Sequence, residues 1–146
     1  MQIYLDACCV NRPFDDQTQD RIRLESEAVL LILSRVQQGI WRWIGSDVLG
    51  FELDQIPDPE RKRRVKTLRR LMDRSVSHER DELERALQLE ALGFGAVDAL
   101  HIACAETTKS DVLLTTDDGL LRLAARFSSQ LRVRVANPVT WLSEVR

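Results

Sequence analysis

Four carboxylates in this 146-residue chain keep apolar company. Asp6 closes the run Ile3-Tyr4-Leu5, Glu52 lies between Phe51 and Leu53, Asp98 is the only acid between Ala91 and Ala105, and Asp117 follows Leu113-Leu114-Thr115-Thr116. Elsewhere the acids are mixed with Lys and Arg, as on a solvated surface. A carboxylate carried into an apolar setting costs several kcal/mol unless it meets a cation or hydrogen-bond donors. A shared Mg²⁺ or Mn²⁺, hard cations that take oxygen ligands, would satisfy all four. Such an ion makes hydroxide available from bound water near neutral pH. Without it the clustered carboxylates repel, and at least one should have a raised pKa. Local roles compete with this reading. Asp98 suits the start of a helix through the macrodipole, and Asp117-Asp118-Gly119 suits a turn.

The elements that must position these residues alternate between strand and helix patterns. Residues 2–5 form an apolar run without polar alternation, as in a strand buried on both faces of a parallel sheet. Asp6 then stands at the carboxyl end of that strand, the edge where open α/β sheets bind ligands. Residues 7–16, with Asn11-Arg12-Pro13, read as a loop. Helical spacing follows over 20–38 and stops at Gly39. Residues 40–44 read as a second strand, and Ser46 is a good N-cap for a helix to about residue 56 that carries Glu52. Asp58 and Pro59 start a basic helix to about residue 74, and further helices span 79–92 and 96–106. Residues 112–115 and 131–135 read as strands, with a short helix over 120–126 between them and a closing helix from Pro138. The pattern predicts one α/β domain over 1–146 with a mostly parallel sheet.

Composition narrows the class. With 44% hydrophobic and 30% charged residues the chain has the make-up of a soluble globular protein. No apolar run approaches the ~20 residues that cross a bilayer, and no secretory signal is evident, so a cytoplasmic protein without a membrane partner is expected. The three cysteines, two of them the adjacent Cys8 and Cys9, argue against a disulfide framework. They fit neither a CxxC pair nor a cysteine-phosphatase motif. His78 and His101 are the only histidines, too sparse for a zinc site, and His101, three residues after Asp98, reads as packed or as a partner to the acidic site. No Gly-rich phosphate loop is present. Phosphoaspartate chemistry needs a late lysine, and Lys109, the only one after Lys66, lies on the wrong side of its strand.

Taken in order, Tyr4-Leu5-Asp6, Glu52 in the helix after the second strand, Asp98-Ala-Leu-His-Ile-Ala103 and Leu114-Thr-Thr-Asp117 resemble the successive acidic motifs of PIN-domain nucleases, the class that includes VapC-type toxins. The resemblance covers nearly the whole chain. It implies a three-layer α/β/α fold with a sheet of about five strands in order 3-2-1-4-5. It also implies Asp6, Glu52, Asp98 and Asp117 around one or two divalent metals, with Asp6, Asp98 and Asp117 as ligands, and hydrolysis of RNA. Asp118 is placed to act alongside or instead of Asp117, and Thr115 or Thr116 to orient a water or a carboxylate. Asn11 and Arg12 either reach substrate phosphate or close a turn. A toxin would have a small antitoxin as its partner.

The net charge of −2 hides a basic segment. Residues 61–74 hold eight Lys and Arg against one acid, Asp73. Such a patch attracts phosphates or an acidic partner, which makes Arg63, Arg64 and Arg70 candidate RNA contacts. The alternative function is a catalytically weak module that binds RNA or protein through this helix. Trp41 and Trp43 share one face of the second strand near an open sheet edge, and on that basis a homodimer is expected.

Overall fold

The computed structural model describes residues 1–145. Apolar runs form the strands β1 (Gln2–Leu5), β2 (Arg42–Ser46), β4 (Val112–Leu114) and β5 (Arg134–Ala136), and a polar one, β3, spans Met72–Val76. All pair in parallel in the order β3-β2-β1-β4-β5. Period-two alternation then sends β1 side chains to opposite layers. Ile3 and Leu5 pack with Val29, Ile32 and Leu33 of α2 (Asp20–Gln37) and Trp141 of α8 (Pro138–Glu144). Tyr4 packs on the other face with Leu89 of α5 (Arg80–Ala91), Ile102 of α6 (Ala96–Thr107) and Leu120 of α7 (Asp118–Arg126). The result is the α/β/α sandwich with the 3-2-1-4-5 order that the motifs imply.

Local chemistry explains the helix ends. Ser46 Oγ accepts from Leu49 N at 3.1 Å and caps α3 (Asp47–Asp54). Asp58 caps α4 (Pro59–Arg69), which has proline at its start. Gly39, at φ +77°, takes the left-handed conformation just beyond α2.

Three expectations are corrected. Residues 7–16 are not a loop: Ala7–Asn11 form α1, followed by a 3-10 turn over Arg12–Phe14. The Asp6 carboxylate accepts from Cys9 N at 3.1 Å and so starts a helix that the downstream proline conceals. The basic helix ends at Arg69, not residue 74, because Met72–Val76 pairs with β2 as the edge strand. An edge strand needs few apolar residues and gains from charges that block further pairing, and here Asp73 pairs with Arg42 at 2.6 Å. Trp41 and Trp43 are buried, with Trp41 against Trp141 at 4.9 Å between ring centroids. They fill the core, and the surface on which the homodimer expectation rested is absent.

Glu25 of α2 is buried and gathers three donors from separate elements. Arg12 reaches it at 2.8 Å, Arg21 at 3.3 Å and Asn137 at 2.6 Å, which ties the 3-10 turn and the start of α8 to α2. Removing one partner of a buried ion pair leaves the other uncompensated. Glu25→Ala should therefore lower the free energy of unfolding by about 3–5 kcal/mol, measured by urea denaturation.

Candidate active site

The carboxyl edge of the sheet brings the four carboxylates together. Asp6 follows β1 and is held to the neighbouring strand by Asp6 N donating to Leu114 O at 3.2 Å. Asp117 follows β4 and caps α7, its Oδ1 accepting from Leu120 N at 3.1 Å. Asp98 lies in the first turn of α6, and Glu52 projects from α3. Burial raises the Asp98 pKa, and the negative charges of Asp6, Asp117 and Glu52 raise it further against the opposing effect of His101. The four groups thus share one electrostatic neighbourhood.

Asp6 is 5% exposed. Burial raises its pKa, and the Cys8 thiol, the Thr115 hydroxyl and Cys9 N–H partly offset this by favouring the charged form. Cys8 Sγ donates to Asp6 Oδ1 at 2.9 Å, and burial with that neighbouring charge pushes the thiol up to about 12. At neutral pH Cys8 is a protonated donor and not a nucleophile.

The donors are hard oxygens, which suits a divalent cation of the Mg²⁺ type. Among the described residues no three His, Cys, Asp or Glu side chains stand already gathered at metal-ligand spacing. Asp6, Asp117 and Glu52 are near enough to raise the Asp98 pKa, yet the four are not closed on a single point. Among the described residues the Asp98 side chain has no hydrogen-bond or ion-pair partner, and the neighbouring carboxylates disfavour its charged form, an imbalance that a cation would relieve. The residues fit a hard cation in type and charge.

Other predicted residues divide between this site and structural work. Asn11 lines a cleft of about 610 Å³ beside Glu52 with Ala7, Cys8, Ile56, Pro57 and Arg61. Its Nδ2 donates to Ala7 O at 3.0 Å, and its Oδ1 is buried without a partner among the described residues. Arg12 is not turned to the cleft but held by Glu25 and Asp15. Thr116 is buried, its carbonyl accepting from Arg21 at 3.0 Å. Arg21 also grips Asp118 through two hydrogen bonds of 2.7 and 2.8 Å, so Asp118 is drawn to α2 while Asp117 stays at the site. Arg63 and Arg64 are exposed and both pair with Glu60, and Arg70 is exposed just beyond α4. Arg61 is the base of α4 that reaches the cleft, pinned by Asp15 at 2.9 Å.

The sequence pattern assigned no role to Tyr4, and to Ser46 only a cap. Tyr4 Oη lies 2.7 Å from Ser46 Oγ and 2.5 Å from His101 Nδ1, and His101 Nε2 meets Glu52 Oε1. Burial holds the Tyr4 phenol well above its usual range, so it stays protonated. The signal for His101 was its position one turn after Asp98. For Tyr4 it was only the alternation that puts residues 4 and 6 on one face.

A carboxyl whose pKa is raised by folding binds its proton more tightly in the folded state. It therefore costs stability at neutral pH, and that cost is relieved as pH falls through the raised pKa. Asp98→Asn should raise the denaturation midpoint in metal-free buffer. The gain over wild type should be largest at neutral pH and shrink on acidification, measured by thermal denaturation across a pH series.

The chain is similar in fold to a solved structure described as VapBC2 from Rickettsia felis bound to a DNA fragment from their promoter. The likeness has a TM-score of 0.55 and 13% sequence identity and covers 94% of this chain and 98% of that one. No protein of curated function matches the sequence. The PIN domain family model matches residues 3–126, the span from the first buried strand to the end of α7, and by that match the chain belongs to the PIN domain family.

Proposed function

We propose that the protein is a divalent-metal-dependent ribonuclease that hydrolyses RNA phosphodiester bonds, and that it serves as the toxin of a toxin–antitoxin pair. PIN domains are generally nucleases that use divalent metal ions. The reading is supported chiefly by Asp6, Glu52 and Asp117 lying near enough to Asp98 for their negative charge to raise its pKa. The VapBC2 likeness supports an antitoxin as partner.

In this reading Asp6, Asp98 and Asp117 hold Mg²⁺ or Mn²⁺. When bound, the ion supplies Lewis-acid activation of water and neutralises charge on the scissile phosphate. Asp6 is held for this by Cys8 and Cys9 N, and Asp117 by the cap it makes on α7. Glu52, with one oxygen on His101, orients the attacking water and takes its proton on the other oxygen. Water oxygen bonds to phosphorus as the bond to the leaving oxygen breaks; the leaving oxygen takes a proton from solvent, and Glu52 returns to solvent the proton it accepted. Asn11 and Arg61 line the cleft that leads the strand to this point, and Thr116 closes the loop under Asp117.

Purified protein should cleave RNA with Mn²⁺ or Mg²⁺ and lose activity with EDTA. Asp6→Asn or Asp98→Asn should abolish cleavage while the circular dichroism spectrum stays that of the folded protein. Full activity in either variant would overturn the assignment.

The exposed bases Arg63, Arg64 and Arg70 extend the RNA surface. Reversing them to Glu should weaken RNA binding. For each phosphate that a base no longer neutralises, the slope of log K against log salt should flatten by about 0.7 for a single strand. Retained RNA binding with no cleavage by wild type would favour the binding-module alternative.

A further inference from the structure

Four side chains from β1, β2, α3 and α6 form a hydrogen-bonded relay that begins in the core and ends at the cleft. It runs from Ser46 through Tyr4 and His101 to Glu52. Tyr4, Ser46 and His101 are buried, whereas the Glu52 side chain is 35% exposed. The first three are thus fixed by packing and the last is free to meet a ligand.

The direction of the relay follows from its Glu52 end. An ionised Glu52 carboxylate can only accept, so the His101 Nε2 that meets it is a donor. In the neutral imidazole Nδ1 is then the bare nitrogen and accepts from the Tyr4 O–H, while Tyr4 Oη accepts from Ser46. If the imidazole holds both protons, Nδ1–H donates to Tyr4 and Tyr4 to Ser46, and Nε2–H still faces Glu52. In both arrangements the nitrogen that meets the carboxylate is a donor. His101 therefore acts as an anchor for Glu52, and it stands one turn after Asp98 on the same helix.

We infer that Tyr4 and His101 are positioning residues for Glu52, fixing one carboxylate oxygen in place so that the other is presented to the reacting water. Of the four members of the relay, Glu52 alone is a catalytic residue. The inference rests on the ribonuclease reading for the role of Glu52, but the hydrogen-bond direction stands apart from it.

Tyr4→Phe tests this, since it removes one oxygen and leaves the ring in its packed place. In metal-free protein, nitrogen-15 NMR of the imidazole should show His101 Nε2 protonated, and Tyr4→Phe should shift the Nδ1 resonance while the fold is kept. Cleavage should fall roughly 10- to 100-fold in kcat, the size seen when the partner that orients a site group is removed. KM should change little. In a Glu52→Gln background the same Tyr4→Phe change should have no further effect, because the group it positions is gone. A bare Nε2 in wild type, or kinetic losses from Tyr4→Phe that are equal with and without Glu52, would overturn the inference. If wild type cleaves no RNA, the ribonuclease reading fails, and the NMR measurement still decides the direction of the relay.

Discussion

The structure depends on placing the Asp6 carboxylate inside the protein at the end of a buried strand. Burying an unpaired charge is costly, and here the surrounding chain meets the cost locally. Cys9 N and the Cys8 thiol donate to its Oδ1, and Thr115, just beyond β4, favours its charged form. The same hydrogen bond from Cys9 N begins α1, so one carboxylate sets the path of the chain and supplies a site oxygen. What these donors leave uncompensated is passed on to Asp98 as repulsion. The site is held in an electrostatic state that a cation would relieve.

Around that carboxylate, two kinds of polar interaction divide the work. Arginines fix the rim: Arg21 takes Asp118 and the Thr116 carbonyl, Arg12 takes Glu25 and Asp15, and Arg61 takes Asp15 and the Phe14 carbonyl. Hydrogen-bonded side chains serve the interior behind the site, where the buried Tyr4, Ser46 and His101 meet and end on the partly exposed Glu52. Dielectric favours ion pairs at the partly wet margin and neutral hydrogen-bonded groups in the dry core, with the buried Glu25 and its donors as the exception. It also explains why so basic a helix as α4 is only partly available to a ligand. Glu60, Asp54 and Asp15 each hold one or more of its arginines.

Much of this was legible in order along the chain. The alternation of apolar strands and amphipathic helices specifies the α/β layers, because burial on two faces and burial on one face leave different periodicities. Asp6 and Asp117 could be placed at strand ends, and Ser46 at a helix start, since these depend on neighbours within a few residues. The grouping of four separated acids was legible only through the company each one keeps and the order of the motifs.

The succession of elements and the carboxylates at the carboxyl edge of the sheet are thus written locally in the chain. Which polar groups pair across long separations is settled only when the layers close on one another. Nothing near residue 12 announces that Arg12 will meet Glu25 and not a substrate, and the place of His101 one turn after Asp98 suggests a partner in the acidic site without saying that it is Glu52. Met72–Val76 looks polar because an edge strand draws its stability from backbone pairing with β2 rather than from its own side chains. Trp41 and Trp43 read as an exposed face because a strand pattern shows which residues share a side but not what covers it; α2 and α8 supply that cover. Local patterns fix backbone conformation, whereas side-chain partners depend on packing between elements far apart in the chain.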